Sequence, residues 1–287
     1  MRLAPLGFIL LWSSSFLTAR VGLAVVSPLL FVALRLVAAA ALMTLLALAL
    51  RQSFRPLKHR WPRLAVAGAL VNGVTLAAFH VGMVTVETAV MALVQAMNPL
   101  VIALLAMPLL GERLRPLQWL GLACGACGVV LVVAERAWQS PAQLAAIALG
   151  GAGLAGLSCG TIYFGRHGRG LPLLPATAVQ LATGALLVLV LMMLFEAPRA
   201  TWGVPALATI AWNVLAVSIG GMALYYAMLN RGTAGRVAAN FYLVPGIVAL
   251  LGWWLLGESL SPLALLGFAV ASAGVFLVVR HQAAASP

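Results

Sequence analysis

Apolar runs of about 20 residues follow one another along almost the whole chain, with only short connectors between them. A helix rising about 1.5 Å per residue needs about 20 apolar residues to cross a hydrocarbon core of roughly 30 Å. Because the bilayer core offers no water to the backbone, such runs must be helical. The composition agrees, since 64% of the residues are hydrophobic and 8% are charged. The sequence therefore predicts an all-α integral membrane protein.

Ten transmembrane helices are predicted, and the longest connector, 51–63, is too short to form a soluble domain. Short loops between neighbouring helices are typical of one helical bundle. The predicted spans are 3–22, 29–50, 64–84, 88–110, 117–134, 143–163, 173–195, 205–228, 236–256 and 263–280.

An internal repeat divides the chain. Moved by 146 positions, the segment 99–133 matches 245–279 at 19 of 35 positions without a gap. The matches include Pro99 with Pro245 and the sequence Gly-Glu-x-Leu-x-Pro-Leu, which begins at Gly111 and again at Gly257. Apolar composition alone does not place Pro, Gly and Glu in register. The sequence therefore predicts two homologous five-helix halves, 1–134 and 143–287.

An odd number of spans in each half predicts that the second half is inverted relative to the first. The loops agree, because Arg113 and Arg115 in the first copy of the motif are replaced by Ser259 and Ser261 in the second. Such an exchange is what the positive-inside rule requires of loops on opposite sides. With cytoplasmic N- and C-termini, thirteen basic residues lie inside: Arg2, Arg51, Arg55, Lys58, Arg60, Arg63, Arg113, Arg115, Arg166, Arg169, Arg231, Arg236 and Arg280.

Several functional classes are disfavoured by the residue inventory. The net charge of +12 comes from Arg residues in short connectors, which orient a membrane protein, so nucleic-acid binding is not expected. Cys124 and Cys127 form a C-x-x-C pattern inside an apolar run without a second pair or a neighbouring His, so neither a metal nor another cofactor is predicted. With no Asp in the chain and His80 as the only His within a span, an enzyme is not expected either.

Inverted helical repeats are typical of secondary transporters, in which two halves rock around a shared site. Pro99 and Pro245 lie at equivalent places in spans four and nine, where each interrupts a helix. They are predicted hinges, or else fixed kinks that shape the bundle. Glu112 and Glu258 are predicted to stabilise helix ends rather than to contact the substrate.

The chain resembles the drug/metabolite transporter superfamily in its ten spans, the segment Trp12–Phe16, Arg35 in span two and the repeated Gly-Glu motif. It is most similar to the EamA-type metabolite exporters, with the YddG-like aromatic amino-acid exporters as a subgroup. The second half departs from the pattern, with 158–161 where a copy of Trp12–Phe16 would stand. The resemblance implies export of small metabolites across the bacterial inner membrane.

Polar and aromatic side chains within spans are expected to face a cavity or another helix, because they are costly in lipid. The predicted cavity-lining residues are Trp12, Ser13, Ser15, Asn72, Phe79, His80, Gln95, Asn98, Thr161, Tyr163, Asn213, Tyr225, Tyr226, Asn240 and Tyr242.

Three predicted roles have alternatives. Two aromatic pairs at equivalent places either line the cavity or serve as interfacial or packing residues: Phe79 with His80, and Tyr225 with Tyr226. His80 couples transport to protons or is a hydrogen-bonded structural residue. Arg35 attracts a substrate carboxylate, or bonds backbone carbonyls or reaches a helix end.

The sequence thus predicts a secondary transporter that exports small metabolites, amino acids above all and aromatic or apolar ones in particular, by alternating access. Multidrug efflux is the alternative within transport, and a channel or a membrane-embedded enzyme are the alternatives outside it. The expected partners are a small-molecule substrate and the lipid bilayer, and the protein is expected to be a monomer or a dimer.

Overall fold

The structure, a computed structural model, describes residues 4–110, 116–137, 140–221, 224, 243–259 and 261–283. These residues form helices and loops, apart from one isolated antiparallel bridge between Val26 and Ala200. The α-helices are α1 (Ala4–Leu23), α2 (Pro28–Ala49), α3 (Trp61–Gly68), α4 (Thr75–Gly82), α5 (Thr88–Ala96), α6 (Asn98–Leu110), α7 (Pro116–Ala137), α8 (Pro141–His167), α9 (Leu173–Phe195), α10 (Val204–Trp212), α11 (Val244–Leu256) and α12 (Pro262–Ala283).

Six helical segments of the described chain are long and apolar enough to cross a membrane, and four apolar helices are shorter. The six are Leu6–Leu23, Pro28–Ala49, Trp61–Gly82, Thr88–Leu105, Pro141–His167 and Leu173–Phe195. The four shorter ones are Pro116–Val132, Val204–Ser218, Val244–Leu256 and Pro262–Leu277. The all-helical membrane architecture predicted from the sequence is confirmed at this level, and the count of ten spans stays a prediction.

Proline, serine and glycine set the helix ends. Ser140 is the N-cap of α8, where its hydroxyl accepts from the Ala142 amide at 3.2 Å, and Pro141 follows at the first helical position. Gly257 ends α11 in the left-handed conformation (φ 66°), which glycine adopts without steric cost. These two helix ends are therefore encoded locally.

Two glutamates join ends of different helices. Glu196 accepts from the Ser27 hydroxyl at 2.8 Å and from the amides of Leu29 and Leu30 at 2.9 and 3.0 Å, so it caps α2. Glu258 accepts from the hydroxyl of Thr88 at 2.6 Å and from its amide at 3.1 Å, so it caps α5. Carboxylates are favourable at these places because helix N-termini carry partial positive charge. The predicted helix-end role is confirmed for Glu258, and Glu112 lies outside the described residues.

Helices α7 and α12 are equivalent under the 146-residue offset, and they pack against each other through glycines at equivalent positions. A methyl group on Gly128 would lie 2.5 Å from the Gly267 carbonyl oxygen, and one on Gly274 would lie 2.5 Å from the Gly121 carbonyl oxygen. Because Gly121 corresponds to Gly267 and Gly128 to Gly274, this is one contact made twice. Gly121 contacts Gly274, and Gly128, further along α7, contacts the earlier residue Gly267 of α12. The two helices are therefore antiparallel.

Another pair of packed helices also occurs twice under the same offset. Between α1 and the end of α10, the Trp212 indole donates to the Ser14 hydroxyl and the Asn213 amide to the Thr18 hydroxyl, both at 2.9 Å. In the pair that is equivalent under the 146-residue offset, Gly153 of α8 lies against Ala78, and Gly160 lies against Val71. Small residues allow this close approach between membrane helices.

Two π-helical segments interrupt spans three and eight, Ala69–Val74 and Asn213–Gly221. The offset of 146 maps the first onto 215–220, inside the second. Such segments are rare in α-helices and frequent at functional sites. They place residues of both halves on the wall of the cavity described next.

Candidate functional site

Two cavities meet in the centre of the described bundle. The larger has a volume of about 290 Å³ and the smaller about 50 Å³. They share a wall formed by Trp12, Arg35, Leu76, Gln95 and Val217. Ligand pockets in proteins span roughly 300–1,000 Å³, so the larger cavity is suited to a small metabolite.

Both halves of the chain contribute to the larger cavity. Val71 and Asn72 come from one π-helical segment, and Val217 and Ser218, their equivalents under the offset, come from the other. Thr177, Gln180 and Leu181 of α9 complete the opposite side. The cavity therefore lies where equivalent elements of the two halves face each other.

Six of the predicted site residues line these cavities. Asn72 faces the larger one, while Ser15, Phe79 and His80 face the smaller. Trp12 and Gln95 face both. The Ser15 hydroxyl also donates to the Trp12 carbonyl at 2.7 Å, which leaves its oxygen as an acceptor toward the cavity.

Five other predicted residues do not line either cavity within the described chain. Ser13 and Asn213 are fully buried between helices. Asn98 accepts from Ser158, and the ring of Tyr163 lies 4.3 Å from that of His167. Thr161 is exposed on the outer surface of the bundle. Tyr225, Tyr226, Asn240 and Tyr242 lie outside the described residues.

The two predicted hinges occupy equivalent positions. Pro99 is the second residue of α6, directly after a break at Met97 that separates α5 from α6. Pro245 is the second residue of α11. The structure thus places an interruption at Pro99, and movement there remains a prediction.

Arg35 is absent from the predicted list of lining residues, although attraction of a substrate carboxylate is one of the roles predicted for it. It lies within α2 and lines both cavities, and no acidic residue is among the described lining residues of either. Gln180 and Thr177 were also missed, although each is a polar side chain inside an apolar span. The same polarity argument that selected Gln95 would have found them.

The described residues contain no group of three or more His, Cys, Asp or Glu that could hold a metal ion. Cys124, Cys127 and Cys159 are free thiols. The polar groups that face the cavities are instead one guanidinium, one imidazole, carboxamides and hydroxyls. Such a site can orient a ligand.

The bond between Ser158 and Asn98 supports the break at Pro99 from a neighbouring helix. The Ser158 hydroxyl donates to the Asn98 carboxamide oxygen at 2.8 Å. We expect Ser158→Ala to lower the free energy of unfolding by about 0.6–1.7 kcal/mol, as for hydrogen bonds between membrane helices. Unfolding in mixed detergent micelles measures this. Thr44→Val is the control, since Thr44 bonds only Ala40 of its own helix, and an equal effect of both changes would contradict an interhelical role.

Several helices that are long and apolar enough to cross a membrane, with a cavity among them, fit a multi-pass membrane protein. The sequence profile of the EamA-like transporter family matches residues 3–134 and again residues 143–280. The chain belongs to the EamA-like transporter family.

Relatives support this assignment. The chain is 25% identical over 275 residues to the uncharacterized inner membrane transporter YedA of Escherichia coli (strain K12), with 94% of this chain and 87% of that protein covered. It is 29% identical over 234 residues to a probable terminal-alkyne amino-acid exporter of Streptantibioticus cattleyicolor, with 79% and 76% covered. A solved crystal structure shares its fold, with a TM-score of 0.70 and 24% identity over 98% of both chains. These relationships point to a transporter rather than an enzyme.

Proposed function

We propose that the protein exports small metabolites, amino acids above all, by alternating access around the central cavity. The observation that carries this proposal is the cavity wall, to which Asn72 and Ser218 contribute from equivalent positions of the two halves. A site built from equivalent elements is exposed to opposite sides when the halves exchange conformations.

Inversion of the second half is part of the proposal. The two separate matches to the family profile support the duplication, and the antiparallel contacts of α7 and α12, which are equivalent under the offset, support the inversion. The distribution of Arg supports cytoplasmic termini, and the similarity to YedA, named an inner membrane transporter, supports the inner membrane. Pro99 and Pro245 are the proposed hinges.

Amino acids are proposed as substrates on two grounds. The chain is similar to a protein named a probable amino-acid exporter. The larger cavity is also small and lined mainly by apolar side chains, with Trp12, Leu157 and Phe164 among them, which suits an aromatic or aliphatic amino acid. Multidrug efflux is less well supported, because a lipophilic cation would meet Arg35 and no acidic residue on the described wall.

Flux of labelled amino acids and cationic drugs in proteoliposomes tests this function. We expect saturable amino-acid flux, and we expect Val217→Trp to reduce it roughly tenfold or more, since the indole would occupy the cavity that the substrate needs. Val130→Trp is the matched control because Val130 is 61% exposed on the bundle surface. Absence of saturable flux for every amino acid would refute the substrate class.

A further inference from the structure

We propose that Arg35 binds the carboxylate and His80 the ammonium group of a zwitterionic α-amino acid, with the side chain of the amino acid in the larger cavity. This inference rests on the proposed function and adds the groups that recognise the substrate. Neither the guanidinium of Arg35 nor Nε2 of His80 has a hydrogen-bond partner among the described residues.

Arg35 is a positive charge that has no counter-charge among the described side chains. Among the described residues it makes no hydrogen bond and no ion pair, and the one ion pair found there joins Arg20 and Glu258. The chain has no Asp, and the glutamates whose side chains are described, Glu87, Glu196 and Glu258, all lie at helix ends. A cation inside a membrane protein is stabilised by a partner. A carboxylate suits the guanidinium best, because it accepts two parallel hydrogen bonds.

His80 supplies a complementary acceptor in the smaller cavity. Its Nδ1 lies 2.7 Å from the carbonyl oxygen of Leu76, and since a carbonyl only accepts, Nδ1 carries the proton. No acidic residue among the described lining residues is present to stabilise an imidazolium, so the ring is neutral and Nε2 holds a lone pair. Nε2 is buried and has no partner among the described residues. Buried polar atoms are normally satisfied, and an ammonium group supplies the missing donor.

The two cavities suit different parts of an amino acid, its charged head group and its side chain. Arg35 and Gln95 lie in the wall that the two cavities share, and His80 lines the smaller cavity, of about 50 Å³. The larger cavity, of about 290 Å³, opens from the same wall and is bordered by Leu36, Leu157 and Phe164. The arrangement therefore fixes the head group and leaves the side chain less strictly selected.

Substrate analogues test the proposal on the unmodified protein. Each amino acid that shows flux is compared with its carboxamide, which lacks the carboxylate, and with its deaminated acid, which lacks the ammonium group. We expect binding of either analogue, measured by the ligand-induced thermal shift in detergent, to be about tenfold to a hundredfold weaker, as for one hydrogen bond to a charged group.

Variants assign each contact to its residue. Arg35→Gln is expected to weaken binding of the amino acid about tenfold to a hundredfold while its carboxamide binds as before. His80→Phe keeps a ring against Phe31, whose centroid lies 5.8 Å away, and is expected to remove the preference for the amino acid over the deaminated acid. Arg55→Gln removes the same charge at an exposed position and is expected to change neither.

The outcomes separate this inference from the function. If amino acids show flux but an amino acid and its carboxamide bind equally well, the role of Arg35 is overturned and the proposed export still stands. Equal binding of the amino acid and its deaminated form would overturn the role of His80. Flux of cationic drugs alone, or of nothing, would refute the proposed function and this inference with it. The analogue comparison holds even where a variant fails to fold.

Discussion

Gly128→Ala is expected to lower the free energy of unfolding by about 1–3 kcal/mol, the usual cost of overpacking a tight interior. An added methyl group would lie 2.5 Å from both the amide nitrogen of Ala271 and the carbonyl oxygen of Gly267. These are backbone atoms, so α7 and α12 would have to move apart. Thermal unfolding in detergent measures the loss.

The control for this change is Gly151→Ala in α8, where a methyl group meets nothing within 4 Å. Both positions are helical, so both gain roughly 0.5–1 kcal/mol from the better helix propensity of alanine. Opposite signs are therefore expected, destabilising at Gly128 and stabilising at Gly151. A stabilising effect at both would show that the two helices do not touch at Gly128.

Glu258→Ala is expected to speed hydrogen exchange of the Thr88 amide about tenfold to a hundredfold. The carboxylate accepts from that amide and from the Thr88 hydroxyl, and bonds to a charged acceptor contribute about 1.5–3 kcal/mol. Loss of the cap frees the first turn of α5, which exchanges through local opening. Exchange measured by mass spectrometry on peptides covering 86–92 gives the result.

Glu196→Ala provides the matched comparison, since Glu196 caps α2 through the Leu29 and Leu30 amides. Each variant is expected to change exchange only at the helix it caps. Unchanged exchange at Thr88 in Glu258→Ala would contradict a capping role. Faster exchange in both helices in either variant would instead indicate general unfolding.

Much of the fold follows from local signals in the sequence. The predicted span 173–195 coincides with α9, and 29–50 differs from α2 by one residue at each end. Hydrophobicity sets the length of these helices, and a proline marks the start of each, Pro28 in α2 and Pro172 before α9. The π-helical segments could not be predicted, because one extra residue in a helical turn does not interrupt the run of apolar residues in the sequence.

The site was predictable only in part. Asn98 and Asn213 met the same criterion as Gln95, a polar side chain within a span, yet they bond Ser158 and Thr18. Those partners lie 60 and 195 residues away in the sequence. Whether a polar side chain faces a cavity or another helix depends on such distant contacts, which a hydropathy pattern does not contain.

The π-helical segments make the cavity wall sensitive to chain length. A π-turn holds one residue more than an α-turn, and one residue corresponds to about 100° of rotation in a helix. Deleting one residue other than Asn72 or Ser218 from Ala69–Val74 or Asn213–Gly221 would leave an α-turn, with the flanking turns in place, and residues inside the segment would rotate relative to those turns by up to this angle. Asn72 or Ser218 would then be displaced from the cavity wall, although both side chains would still be encoded.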